Sequence, residues 1–207
     1  MRADPPTPIE SPAPLLAEPE SSASEEVEPG LFLENEEEEL DENQKTDSAR
    51  SGKAISPNLG DGKPDGKRSL GGSGEMIELE MPDGNSKVVG VKIHGSRYGQ
   101  SQAPKESFLI YFLSKDRKRI LHTEMAPYSL FKRGPEDWVE IEFETPVAGL
   151  PKSFWLVLDF RAAQTKGVCV SFDTTTGGKF SRIGLPGMAS SEVNFGGDWM
   201  IQGIFAE

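Results

Sequence analysis

The residues best suited to chemistry in this chain lie side by side in His94-Gly95-Ser96-Arg97-Tyr98-Gly99. An imidazole, a hydroxyl, a guanidinium and a phenol hydrogen-bond to a polar ligand and stack on it, and glycines between them let the backbone bend sharply. The segment is expected to end one strand and open a long loop toward Phe108. Two roles stay open for it: a ligand site, or Arg97 and Tyr98 pinning the loop to the end of the fold with His94 facing solvent. Ser96 near His94 in sequence is no catalytic relay, which needs a base in reach and an oriented partner for that base. No Gly-x-Ser-x-Gly elbow occurs anywhere. A second candidate is Ser181-Arg182-Ile183-Gly184-Leu185-Pro186-Gly187, after Asp173-Thr174-Thr175-Thr176-Gly177-Gly178, where Arg182 could pair with Asp173 across a hairpin, a pair that is usually structural. A third is Asp159-Phe160-Arg161, a polar pair closing an apolar strand.

Other chemistries find no support. Glu140, Glu142 and Glu144 alternate on one strand face, too openly for the paired carboxylates of a glycosidase cleft. Gly71-Gly72-Ser73-Gly74 lacks the following helix that a phosphate-cradling loop requires. Cys169 is the single cysteine, so there is no internal disulfide framework, and its place between Val168 and Val170 suits a small apolar residue. His94 and His122 have none of the His/Cys/carboxylate spacing of a metal site. No catalytic residue, metal or cofactor is expected, and the chain is read as non-enzymatic.

The elements that must position these groups are strands. From residue 75 onward the apolar period is two. In Trp138-Val139-Glu140-Ile141-Glu142-Phe143-Glu144, the residues Val139, Ile141 and Phe143 share one face, and Trp138 falls with the glutamates on the other. Val89, Val91 and Ile93 are expected to share a face opposite Lys92 and His94. Phe154, Leu156, Leu158 and Phe160 form another apolar face, as do Val168, Val170 and Phe172, then Trp199, Ile201 and Phe205. Weaker candidates are 76–81, 119–123 and 180–183. Pro82-Asp83-Gly84-Asn85 suits a hairpin turn, and only 125–132 has room for a helical turn, limited by Pro127. Short strands with regular turn signals give an all-β fold, an antiparallel jelly-roll-like β-sandwich over residues 61–207, with a closed barrel second.

Charge divides the chain. Its formal net charge is -12, and the first fifty residues hold 15 Asp/Glu against 3 Lys/Arg, so the remainder sums to zero. Residues 1–60 are expected to be a disordered acidic tail or linker, because proline removes backbone donors and few apolar residues offset the entropy of ordering. The stretch 52–74 continues as linker or loop. Leu31, Phe32 and Leu33 ahead of the acidic run could dock on a partner, or the run is a solvated spacer. No signal peptide follows Met1-Arg2-Ala3-Asp4, and no apolar window of about 18 residues could span a membrane. An acidic tail on a neutral domain argues against nucleic acid as a partner.

Several segments together carry a family likeness: Gly66-Lys67-Arg68-Ser69-Leu70-Gly71-Gly72-Ser73-Gly74, His94-Gly95-Ser96-Arg97-Tyr98-Gly99, Lys166-Gly167-Val168, Gly184-Leu185-Pro186-Gly187 and Gly197-Asp198-Trp199-Met200-Ile201. Over roughly residues 62–205 the chain resembles a β-sandwich module of planctomycete-type bacterial proteins. That module often sits at the C-terminus of larger polypeptides, including membrane zinc metallopeptidases similar to antirepressor sensors. The peptidase motif His-Glu-x-x-His is absent here, so no protease activity carries over. The resemblance implies a non-catalytic extracytoplasmic module in the cell envelope.

The expectation is therefore a binding module for a carbohydrate or cell-envelope polymer. Its site would combine His94, Ser96, Arg97 and Tyr98 with the aromatic platforms Tyr128 and Trp138. The alternatives are an assembly domain acting through protein contacts, and an enzyme whose pocket gathers His94, Arg97 and Asp159 or Asp173.

Overall fold

The computed structural model describes residues 53–57 and 59–207; the expected disordered tail lies outside them over residues 1–52. The chain forms β1 Ala54–Ser56, β2 Gly66–Arg68, β3 Glu75–Glu80, β4 Lys87–Gly99, β5 Ser107–Leu113, β6 Ile120–Pro127, β7 Asp137–Ala148, β8 Ser153–Asp159 and β9 Lys166–Asp173. Four short strands follow: β10 Ser181–Ile183, β11 Ser191–Glu192, β12 Asp198–Trp199 and β13 Ile201–Ala206. Helical structure among the described residues is confined to single 3-10 turns at Tyr128–Leu130 and Thr174–Thr176.

Every strand pairing is antiparallel. In the first sheet β2 pairs with β9, β9 with β4 and β4 with β7; in the second, β3 pairs with β8, β8 with β5 and β5 with β6. The chain crosses between sheets from β2 to β3, β3 to β4, β4 to β5, β6 to β7, β7 to β8 and β8 to β9, which is the winding of a jelly roll. The all-β jelly-roll-like sandwich is thus the fold. β1 and β2 fall inside the 52–74 stretch expected to be linker, so ladder pairing begins at Ala54, before residue 61.

The core lies between the sheets. Ile77, Leu79, Phe108, Ile110, Phe112, Phe154, Leu156 and Leu158 of the second sheet meet Val88, Val91, Ile93, Ile141, Val168 and Val170 of the first. The period-two reading holds on β7, where Ile141 is buried and Glu140, Glu142 and Glu144 are exposed. It slips on β4: a bulge against β7 between Val88 and Gly90 gives Val88 the core position expected for Val89, because an extra residue shifts the faces on either side of it. Pro82–Asn85 is a turn, with the Asn85 N–H donating to Pro82 O at 3.2 Å. It joins β3 to β4 in opposite sheets, so it makes a crossover and not a hairpin.

One edge of β4 is forked. β9 pairs with its last part, Gly95↔Val170 to Gly99↔Lys166, while β13 pairs with its first part, Ile201↔Ile93 to Ala206↔Lys87. Met200 sits in the fork: its N–H donates to Ser171 O at 2.9 Å and its carbonyl accepts the His94 N–H at 3.0 Å.

Candidate functional site

The six residues His94–Gly99 are strand, not loop. β4 is paired on both edges through this stretch, by β9 and by β7 at Gly95↔Asp137, and the Arg97 N–H donates to Lys132 O at 2.9 Å. Gly95 serves close packing here, because a Cβ on it would lie 2.6 Å from the Cys169 carbonyl oxygen. Strand alternation then divides the candidates. His94, Ser96 and Tyr98 point to the outer face of the first sheet, and Arg97 to the opposite side.

Arg97 is 8% exposed. Its Nη1 donates to Gln100 O at 2.6 Å and its Nη2 to Ser101 O at 3.0 Å, which fastens the start of the β4–β5 loop. Tyr98 donates to Ala163 O at 2.9 Å and accepts from Ser69 Oγ at 3.2 Å, tying that loop region to its neighbours. Both residues hold loops, the second of the two roles open to them. Tyr128 is no platform: it is fully buried, packs on Phe108 with centroids 5.7 Å apart and donates to Phe160 O. Burial pushes its phenol up to about 12. Nor does Arg182 reach Asp173. The residue opposite Asp173 is Asp198, and Arg182 supplies only its carbonyl to Trp199 Nε1 at 3.2 Å.

What does gather on the outer face is His94, Ser96 and Trp138, with Lys92, Glu136 and Ser171. Extending the β4–β9 register brings His94 opposite Ser171, and His94 Nδ1 shares a 2.8 Å hydrogen bond with Ser171 Oγ. His94 is 9% exposed, so it does not face solvent, and burial lowers its pKa from the ordinary 6.5. Ser171 is completely buried, out of reach of any substrate. The rings of Trp138 and His94 meet edge to face with centroids 5.2 Å apart, and the Lys92 ammonium lies 5.4 Å from the Trp138 centroid. Ser96 Oγ donates to Glu136 Oε1 at 3.0 Å, and Glu136 also takes the Lys67 ammonium. That ammonium is the main reason the Glu136 carboxyl sits below its ordinary range. Cys169, opposite Ser96, is half-buried, and burial pushes its thiol up, away from the thiolate.

Beside this array runs a groove of about 430 Å³, lined by Leu130, Lys132, Arg133, Glu136, Trp138 and Glu140 among others. Trp138 is half-buried and forms part of its apolar wall, while charges of both signs stand along the rim. Lys132, Arg133 and Glu136 escaped the sequence reading, although their place just before the Trp138 strand was the available signal. No protein-family model matches the chain, and no curated protein matches it.

Proposed function

We propose that this chain is a non-catalytic binding module that takes a carbohydrate or another polymer of the cell envelope in the groove beside Trp138. The observation that carries the reading is Trp138 itself. A half-buried aromatic ring, set against the His94 imidazole and the Lys92 ammonium, lines the groove together with the charged side chains of Lys132, Arg133, Glu136 and Glu140. Sugars present a C–H face and a ring of hydroxyls, the complement of such a surface. The family likeness over residues 62–205 agrees with an extracytoplasmic setting. A catalytic reading around His94 and Arg97 has less in its favour, since the two side chains leave β4 on opposite faces.

The test is a titration of full-length protein against soluble glycans and cell-envelope polymers, followed by tryptophan fluorescence. Saturable binding that Trp138→Ala weakens by about tenfold or more supports the proposal. The melting temperature should change little, because the ring packs only partly against the fold. Absence of saturable binding to every polymer, or binding untouched by the substitution, overturns it. A second reading rests on β6, the terminal strand of the second sheet, where Ile120 is 52% and Met125 69% exposed. An open edge with apolar side chains is a site for pairing with another protein, and a mass that rises with concentration would favour that role.

A further inference from the structure

The carboxylates of Asp173 and Asp198 carry the strongest unassigned signal in the molecule. They lie directly opposite each other, Asp198↔Asp173, at the β9–β12 pairing, on the same outer face as His94 and Ser171. Directly opposed antiparallel residues place their Cβ atoms about 4.5–5.5 Å apart, and like charges in that relation repel. Each of these residues is only 1% exposed, so water does not screen them.

The hydrogen bonding is unequal. Asp173 is well supplied: its Oδ1 accepts from the Thr175 N–H at 2.8 Å and from the Thr175 hydroxyl, and its Oδ2 from the Gly62 N–H at 3.2 Å. Asp198 Oδ1 accepts from the Phe180 N–H at 2.8 Å, but Asp198 Oδ2 is buried with no hydrogen-bond partner. An orphaned buried carboxylate oxygen is costly and calls for a compensating group.

Space for that group exists. Asp173 and Asp198 line a small, partly open cavity of about 20 Å³, whose wall also includes Gly62, Trp138, Met200 and Gln202. This is room for about one water-sized particle. Pro57 and Leu59 complete the wall beside Gly62, and the chain runs close to the carboxylate there: Gly60 has φ +68°, and a Cβ on it would fall 2.0 Å from Asp173 Oδ2. Among the described residues no cluster of three or more His, Cys, Asp or Glu side chains gathers to hold a metal, so an ion here rests on two carboxylates, neutral oxygens and water, and the absence of His and Cys donors at the cavity disfavours zinc. A hard cation, by contrast, takes carboxylate, amide and backbone oxygens together with water.

We propose that the cavity between Asp173 and Asp198 binds one hard divalent cation of the calcium type. The ion joins the β9–β12 pair to the backbone around Gly62, which lines the same cavity. Asp198 Oδ2 is the oxygen committed to the ion, Asp173 Oδ2 is the second anionic donor, Gln202 is the neutral oxygen-bearing side chain of the wall, and water completes the coordination. Trp138 lines both this cavity and the groove, so an ion here would stiffen one wall of the groove without entering it.

The experiment uses full-length protein stripped with chelator. Adding calcium to about 100 times its dissociation constant should raise the melting temperature by roughly 5–10 °C. Terbium, a calcium mimic, should give tryptophan-sensitised luminescence that saturates at one ion per chain and is displaced by calcium, since Trp138 and Trp199 line the cavity. Asp198→Asn should abolish both effects while circular dichroism stays that of a β protein. Weak binding along the acidic first fifty residues adds a non-saturating slope that Asp198→Asn leaves in place. Wild-type protein that shows neither a calcium-dependent melting temperature nor saturable luminescence overturns the proposal, as does a variant that keeps both. If Asp198→Asn fails to fold, the wild-type terbium titration alone decides. Glycan binding, tested by Trp138→Ala, stands or falls separately.

Discussion

The outer faces of the two sheets handle the same problem in opposite ways. On the second sheet, Met76, Leu113, Trp155 and Val157 form an apolar cluster outside the sandwich core, with Tyr111 and Leu185 packed against it. Trp155 is 4% exposed, its Nε1 donates to Lys115 O at 3.2 Å, and Arg117 lies 5.3 Å from its centroid. On the first sheet the corresponding surface is polar: His94, Ser96, Ser171, Glu136 and Lys67 hydrogen-bond among themselves, and Trp138 remains half-open beside a groove. Two tryptophans on outward positions of adjacent-in-sequence strands, β7 and β8, thus meet different fates. One has apolar neighbours and a loop to cover it, and serves stability. The other has charged neighbours, and is left where a ligand could use it.

The largest expected effect breaks this contrast from the apolar side. Trp155→Ala should destabilise the domain by about 3–5 kcal/mol, the cost of truncating a buried aromatic and leaving a cavity. Chemical denaturation of the variant beside Trp138→Ala is the measurement. Equal losses for the two tryptophans would erase the distinction between a structural face and the proposed binding face.

A second, smaller effect comes from a residue that violates the apolar side. Glu75 shares the inward face of β3 with Ile77 and Leu79, opposite Leu158 of β8. It is 1% exposed, and neither carboxyl oxygen has a hydrogen-bond partner. The backbone N–H groups of Glu75 and Leu70 lie near the carboxyl without hydrogen-bond geometry, so burial dominates and pushes its pKa well above the ordinary 4.5. The folded state therefore holds this proton more tightly than the unfolded chain. Its stabilising share is complete below about pH 4.5 and is lost as the pH rises toward the folded-state value. Glu75→Gln should have its most favourable stability relative to wild type at alkaline pH, gaining about 1–3 kcal/mol on the wild type between pH 4 and pH 9. Parallel denaturation curves across that range check it; a difference independent of pH would mean the carboxyl is solvated.

How much of this was legible beforehand depends on how local the determinant is. Alternation in Trp138–Glu144 is a local pattern, and it placed both the core residues of β7 and the outward Trp138 correctly. The jelly-roll class followed from many such runs. The bulge at Val88–Gly90 was not legible, since it is defined by the register against β7. Glycines in His94–Gly99 signalled a bend because their other use, close strand packing at Gly95, depends on a neighbour far away in sequence. Tyr128 stood in a turn flagged by Pro127, and turns are usually exposed; its burial comes from Phe108 and Phe160, which sequence could not bring to it. The Asp173–Asp198 pair joins β9 to a two-residue strand, too short to carry a period.

The smallest expected effect sharpens the comparison from the polar side. Lys67 caps the chain of contacts that runs through Glu136 to Ser96, yet its side chain is 49% exposed and that of Glu136 21%. Solvent screens such a pair, and holding a long lysine in one geometry costs rotamer entropy. Lys67→Met, which keeps the aliphatic stem, should therefore change stability by no more than about 1 kcal/mol, with the difference shrinking further in high salt. The same substitution removes the charge that chiefly holds down the Glu136 carboxyl, so the Glu136 titration should move up toward its ordinary value. Carboxyl chemical shifts followed against pH would report that movement directly. A large loss of stability with an unmoved titration would make the outer face of the first sheet a structural surface like that of the second. A moved titration with stability intact would identify it as a surface whose electrostatics are free to serve binding, because the fold does not depend on them.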